Sequence, residues 1–196
     1  LPLIDKLGMI TLFSSIGLAA IMTIWAVYLD SFLHNASYVG FLTAFFIIIG
    51  SLSYIFFIPI IEKKNKVKLY LTILFLFTIS YILFGLFSNL YAVIILGIIT
   101  SILASLGITC LGIIVRDKTR DSSVSKNEGI IFTSRNIAFL LGPIIAGFIA
   151  NKYGMANVFF FAAIAMFISL ILFKLMNIQD NRVKKRVDKN SIKVFI

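Results

Sequence analysis

Arg135 is the one ionisable residue set well inside a long apolar run, so the chain's chemistry begins there. Its guanidinium stays charged and presents five donors in a planar fork, a geometry that grips carboxylates and phosphates. Counted from Gly129, it lies about 9 Å into the run if the run is helical. A charge at the bilayer centre costs about 2.5–3.5 kcal/mol on insertion scales, so it must snorkel, pair or face water. Three readings stay open: snorkelling to the inner headgroups, pairing at a gate with Glu128 two turns earlier on the same face, and direct contact with an anionic solute. Reactive chemistry of other kinds has little to work with. The chain has one His (His34) and one Cys (Cys110), and no carboxylate falls in the middle of an apolar run. A catalytic set, a disulfide, a thiolate metal cluster and a proton relay cannot be assembled from these residues alone. No enzyme, metal site or cofactor is expected.

The elements that must position Arg135 are membrane spans. Of 196 residues, 60% are hydrophobic and 13% charged, and the mean hydropathy is +1.05. Soluble domains run near about 45–50% apolar and about 25% charged. Six apolar runs occupy about 7–29, 38–61, 68–88, 91–114, 129–150 and 155–176. Each is long enough to cross a hydrocarbon core of roughly 30 Å as a helix. Lipid offers no partners for exposed backbone, and the runs lack the alternation of barrel strands. The expected fold is an all-α membrane protein whose six transmembrane helices fill residues 1–176, with a basic cytoplasmic linker or tail over 177–196.

The formal net charge of +10 does not indicate nucleic acid, because the bases are confined to segments between runs. One side holds Lys6, then Lys63, Lys64, Lys66 and Lys68, then Arg116, Lys118, Arg120 and Lys126, then the tail. The other side has only Lys152. Positive charge stays inside, so both termini are expected in the cytoplasm of a multi-pass protein of the cell (inner) membrane. The tail can bind anionic headgroups at about 1 kcal/mol per basic residue, or serve as a solvated linker. Asp30 and His34 read as a solvated outer loop, and Asn35-Ala36-Ser37 fits the glycosylation triplet. Residue 1 is Leu and the chain ends in a fresh apolar patch, so both ends are expected to be cut.

Within the runs, small residues form stripes. Ser134, Ala138, Gly142, Ala146 and Ala150 recur every four positions, giving one helical face with nothing bulky on it. Such a face lets another helix approach closely, the main route to helix association in lipid. Pro143 removes a backbone donor and bends or softens the helix there. The face suits either a helix that slides or rocks against a partner, or plain tight packing. Gly97, Ser101, Ser105 and Thr109 form a mildly polar stripe in the fourth run, suited to packing or to lining an aqueous path. Trp25 and Tyr28 stand at the outer boundary of the first run, where their rings anchor at the interface. With Ser101, Ser105 and Arg135 they complete the candidate solute path. The third and sixth runs are bulky and expected to face lipid. With Thr11, Ser14, Ser15 and Gly17 in the first run and Gly40, Ala44 and Ser51 in the second, two runs with small or polar stripes followed by a bulky one occur twice, a weak signature of two three-helix repeats.

These features resemble one half of a major facilitator superfamily transporter. The fifth-run motif is small-xxx-small-xxx-Gly-Pro-x-x-small-Gly, present as Ser134, Ala138, Gly142, Pro143, Ala146 and Gly147. The family has glycine where Ser134, Ala138 and Ala146 stand, and all three departures stay small. Its loop motif Gly-x-x-x-Asp-Arg-x-Gly-Arg-Arg/Lys survives in degenerate form as Ile58, Glu62, Lys63, Asn65 and Lys66. The family's basic residue early in the fourth helix has no counterpart near Leu96 and Gly97, so proton coupling does not carry over. The resemblance implies the amino-terminal half of a twelve-helix carrier that moves a small solute by alternating access, export somewhat favoured, with a second six-helix half missing from this chain. It implies that the first and fourth helices line the path, the second and fifth gate it, and Glu62, Lys66 and Asp117 form a cytoplasmic charge lock. Lys63, Arg116, Glu128 and Arg135 complete the expected gate. The alternative is a six-helix channel or a half-carrier that dimerises.

Overall fold

A computed structural model describes residues 3–118, 124–176 and 178. Its elements are α1 (Leu3–Leu33), α2 (Ala36–Lys63), α3 (Lys66–Leu86), α4 (Leu90–Asp117), α5 (Val124–Tyr153) and α6 (Met155–Leu175). No strand occurs among the described residues, and all six helices are long and apolar enough to cross a membrane. Several helices outrun their apolar stretches. α5 begins at Val124, adding more than a turn before Gly129 and setting Arg135 deeper into its helix. The basic tail expected over 177–196 lies outside the described residues apart from Ile178, as does Arg120.

The connections are short, and side chains fix where helices restart. Asn65 Oδ1 accepts from the Lys68 amide at 2.9 Å, and Asn89 Oδ1 from the Ala92 amide at 2.8 Å. Asn35, the first residue of the glycosylation triplet, accepts from the Ser37 amide at 2.9 Å. Each Asn thus satisfies a donor that the first helical turn leaves without an intrahelical partner. Gly154, at φ 87°, supplies the left-handed step between α5 and α6. Beside it, Lys152 Nζ lies 5.8 Å from the Phe148 ring and 5.2 Å from the Tyr153 ring, a cation held over aromatic faces.

Short loops make sequence neighbours antiparallel, but α3 and α4 are the one neighbouring pair among the main packing partners. The most extensive interfaces are α1 with α5, α3 with α6, α1 with α6, α3 with α4, and α2 with α4. Exchanging α1 for α4, α2 for α5 and α3 for α6 maps this set onto itself. The fold is therefore built of two three-helix repeats whose helices interleave.

Burial within the bundle does not fall with bulk. α3 and α6, the bulky helices, each bury 44% of their most apolar window within the bundle and leave the remainder on their outer faces, against 17% buried for α2 and α5. Their large side chains fill the space between them: the Tyr70 and Phe173 rings lie 4.8 Å apart and those of Phe84 and Phe159 stack at 5.0 Å. Only their outer edges, such as Phe75 and Ile164, are exposed. α1 is the most enclosed helix, at 61%.

Candidate functional site

The small edge of α5 lies against α1. A Cβ added at Gly142 would stand 2.5 Å from Ala19 Cβ and 3.1 Å from the Ala20 amide nitrogen, a separation only glycine permits. Ala138 and Ala146, one turn to either side, are fully buried. One end of the stripe meets a glycine of α1 in the same way: Ser134 Oγ lies 3.0 Å from the position of a Gly8 Cβ, while donating to the Ile130 carbonyl at 2.9 Å. Small residues on both helices thus let two backbones meet, the arrangement that dispersion favours in lipid. Pro143 and Gly147 lie outside this contact: both are exposed, and a Cβ at Gly147 would meet nothing within 4 Å. Leu140, Ile144 and Phe148 point away from the bundle on the opposite face.

The stripe on α4 meets α2. Ser105 Oγ donates to the Gly50 carbonyl at 2.7 Å, a bond between helices. Ser101 Oγ donates to the Gly97 carbonyl at 2.8 Å, and Gly97 itself lies beneath the Phe46 ring. The same ring is 5.8 Å from Trp25. Trp25 and Tyr28 belong to an aromatic cluster that includes Phe84 and Phe159. Tyr28 is 5% exposed and its hydroxyl has no hydrogen-bond partner among the described residues.

Arg135 lies apart from that cluster, half-buried on the wall between two cavities. The inner one, about 220 Å³ and open on one side, is lined by α1 (Thr11, Ser14, Ser15, Leu18, Met22), α3 (Tyr70, Ile73, Leu74, Phe77), α4 (Ala104, Gly107, Ile108, Leu111), Arg135 and Phe139 of α5, and Met166. Its few hydroxyls donate within their own helix, Thr11 Oγ1 to the Leu7 carbonyl and Ser14 Oγ to the Ile10 carbonyl, each at 2.9 Å, and keep lone pairs free to accept. The Tyr70 and Ser14 hydroxyls interact with each other. The outer cavity, about 240 Å³, lies between α4 and α5 and includes Gly112, Val115, Glu128 and Phe132. Ile108, Leu111 and Arg135 line both. Pro143 donates no amide to Phe139, so the turn after Arg135 carries a carbonyl without its usual helical donor.

Of the five candidate path residues, only Arg135 lines these cavities. The gate residues gather at one end of the bundle. Arg116 and Asp117 are exposed on the last turn of α4, Glu128 is exposed early in α5, and Lys66 is half-buried in the first turn of α3. Glu62 and Lys63 close α2 at the same end, and their side chains lie outside the described residues. Sequence reasoning missed Tyr70, Phe139 and Met166 as lining residues. Nothing in a bulky apolar run distinguishes a cavity wall from a core contact.

The sequence profile of the Major Facilitator Superfamily matches residues 7–193. No curated protein matches the chain. Among solved structures, a mutant of a peptide transporter, POT, in complex with alafosfalin superposes with a TM-score of 0.75 at 17% identity, covering 88% of this chain and 38% of that one. The POT family transporter PepTSo superposes with a TM-score of 0.72 at 12% identity, covering 88% of this chain and 36% of that one. The chain thus spans well under half the length of either structure, and at such identities the likeness concerns the fold.

Proposed function

The chain belongs to the major facilitator superfamily, and on that premise we propose that it forms the amino-terminal half of a secondary carrier moving a small solute across the cell membrane by alternating access. It is a multi-pass membrane protein with six helices able to span. The observation that carries the reading is the α1–α5 seam, where Gly142 sits against Ala19 beside the cavity that Arg135 lines. A seam without protrusions can shift by small steps while staying packed, as a rocking bundle requires. α2 and α5 leave the most apolar surface uncovered, which suits them to meet a second six-helix half. Positive charge at one end of the bundle supports cytoplasmic termini. Export is the somewhat favoured direction.

The charged end is then the cytoplasmic gate, with Asp117 locking against the basic start of α3 in the outward-facing state. Asp117→Asn is expected to release that lock and shift the carrier toward inward-open. The test is labelling of cysteines placed on the two sides of the full protein in membranes. Labelling should fall on the outer side and rise on the inner side, and an unchanged pattern rejects the lock. Transport itself is tested by reconstituting the full protein in proteoliposomes. Arrest by Gly142→Leu supports the seam reading, and normal uptake contradicts it.

A further inference from the structure

Among the described residues that line the two cavities, Arg135 and Glu128 are the only charged ones, and they have opposite signs. They lie seven positions apart on α5, which puts Glu128 about 10 Å from Arg135 along the axis and on the same face. Arg135 is shared by both cavities; Glu128 belongs to the outer one alone. The inner cavity therefore offers one cation and, around it, a predominantly apolar wall of Leu18, Met22, Ile73, Phe77 and Met166. A guanidinium half-withdrawn from water gains most from an anion that reaches it with both oxygens. An apolar wall gains most from a body that needs no hydration. One ligand chemistry meets both demands.

We infer that the inner cavity binds an amphipathic anion, its carboxylate or similar oxyanion on Arg135 and its apolar body against the α1, α3 and α6 walls. Glu128 is the internal competitor: its carboxylate draws on the same guanidinium from the outer cavity and weakens the hold on the ligand. The inference deepens the carrier reading by naming a solute class, but binding is measured without transport, so the two fail separately.

The probe is naphthoate, compared with its methyl ester and with naphthylmethylammonium, in equilibrium dialysis against the full protein in phosphatidylcholine nanodiscs. Saturable binding of the carboxylate is expected, with the ester and the cation at least about tenfold weaker. Arg135→Gln should lower carboxylate affinity by about tenfold or more, and Arg135→Lys should retain part of it. Glu128→Gln should tighten binding by about twofold, since it removes a like charge about 10 Å away. That exposed site tolerates change, so this arm stands even if Arg135→Gln does not fold. Equal binding of the three probes overturns the inference, as does carboxylate binding unmoved by Arg135→Gln or by Glu128→Gln. Displacement of naphthoate by phosphatidylglycerol in the disc assigns the site to a lipid phosphate and overturns the solute assignment. Arg135-dependent binding in a protein that takes up no solute keeps the inference and rejects the carrier reading.

Discussion

The α1–α5 and α2–α4 seams occupy corresponding places in the two repeats and are held together in different ways. Between α1 and α5 nothing directional is found at the closest point: Gly142 meets Ala19, and Ala138 and Ala146 are buried on either side. Between α2 and α4 the contact is pinned, by the Ser105 hydroxyl on the Gly50 carbonyl and by the Phe46 ring seated on Gly97. A hydrogen bond has one good geometry, whereas a smooth apolar contact has a range of nearly equal ones. The same architectural position is therefore a smooth apolar contact in one repeat and a hydrogen-bonded one in the other, and the proposed carrier cycle makes the smooth one the surface that shifts.

The comparison breaks most readily at Gly142. Leucine there forces α1 and α5 apart, with overpacking of about 1–3 kcal/mol or more, and should abolish uptake and lower thermal stability in detergent. Gly147→Leu, where a Cβ meets nothing within 4 Å, leaves the α1–α5 contact intact and should cost clearly less in both. If the two variants behave alike, the smooth seam is not what matters.

A smaller effect is expected at the anchored seam. A Cβ at Gly97 would press into the Phe46 ring, a flexible neighbour that can give way, so Gly97→Ala should destabilise by about 1 kcal/mol. Combining it with Phe46→Leu should recover most of the loss in a thermal-unfolding double-mutant cycle. Smaller still is Ser105→Ala, which deletes one interhelical hydrogen bond. Such bonds average about 0.6 kcal/mol and reach about 1.7 in membrane proteins. Unfolding in detergent should register that loss while uptake persists. Arrest of uptake by Ser105→Ala at normal stability would reverse the roles assigned to the two seams.

Much of this architecture is legible from residue order, because hydropathy in a bilayer is a one-dimensional signal. The number of helices and the clustering of charge at one end follow from runs and loops. The four-residue spacing of Ser134, Ala138, Gly142 and Ala146 announces a close contact, but its partner is not announced. That partner is α1, more than a hundred residues away, and only the interleaving of the repeats brings it there. The bulky spans hide their inner faces for a related reason. Phe77, Phe84, Phe159 and Phe173 look lipid-facing in sequence because lipid and protein core are equally apolar, and packing decides between them. Arg135 is legible in the sequence, since a charge in an apolar run is conspicuous. Its surroundings are not, because Thr11 and Tyr70 come to line the same cavity through tertiary structure alone.

The central claim is that α1 and α5 touch through small residues and must shift for the carrier to work. The direct test is the double variant Gly8→Cys, Ser134→Cys in a Cys110→Ala background of the full protein. The 3.0 Å approach of Ser134 Oγ to a Cβ at position 8 places the new thiols within bonding reach. Oxidation should form the cross-link in high yield and stop uptake in proteoliposomes, and reduction should restore it. Failure to cross-link would contradict the seam, and undiminished uptake by the cross-linked protein would contradict its movement.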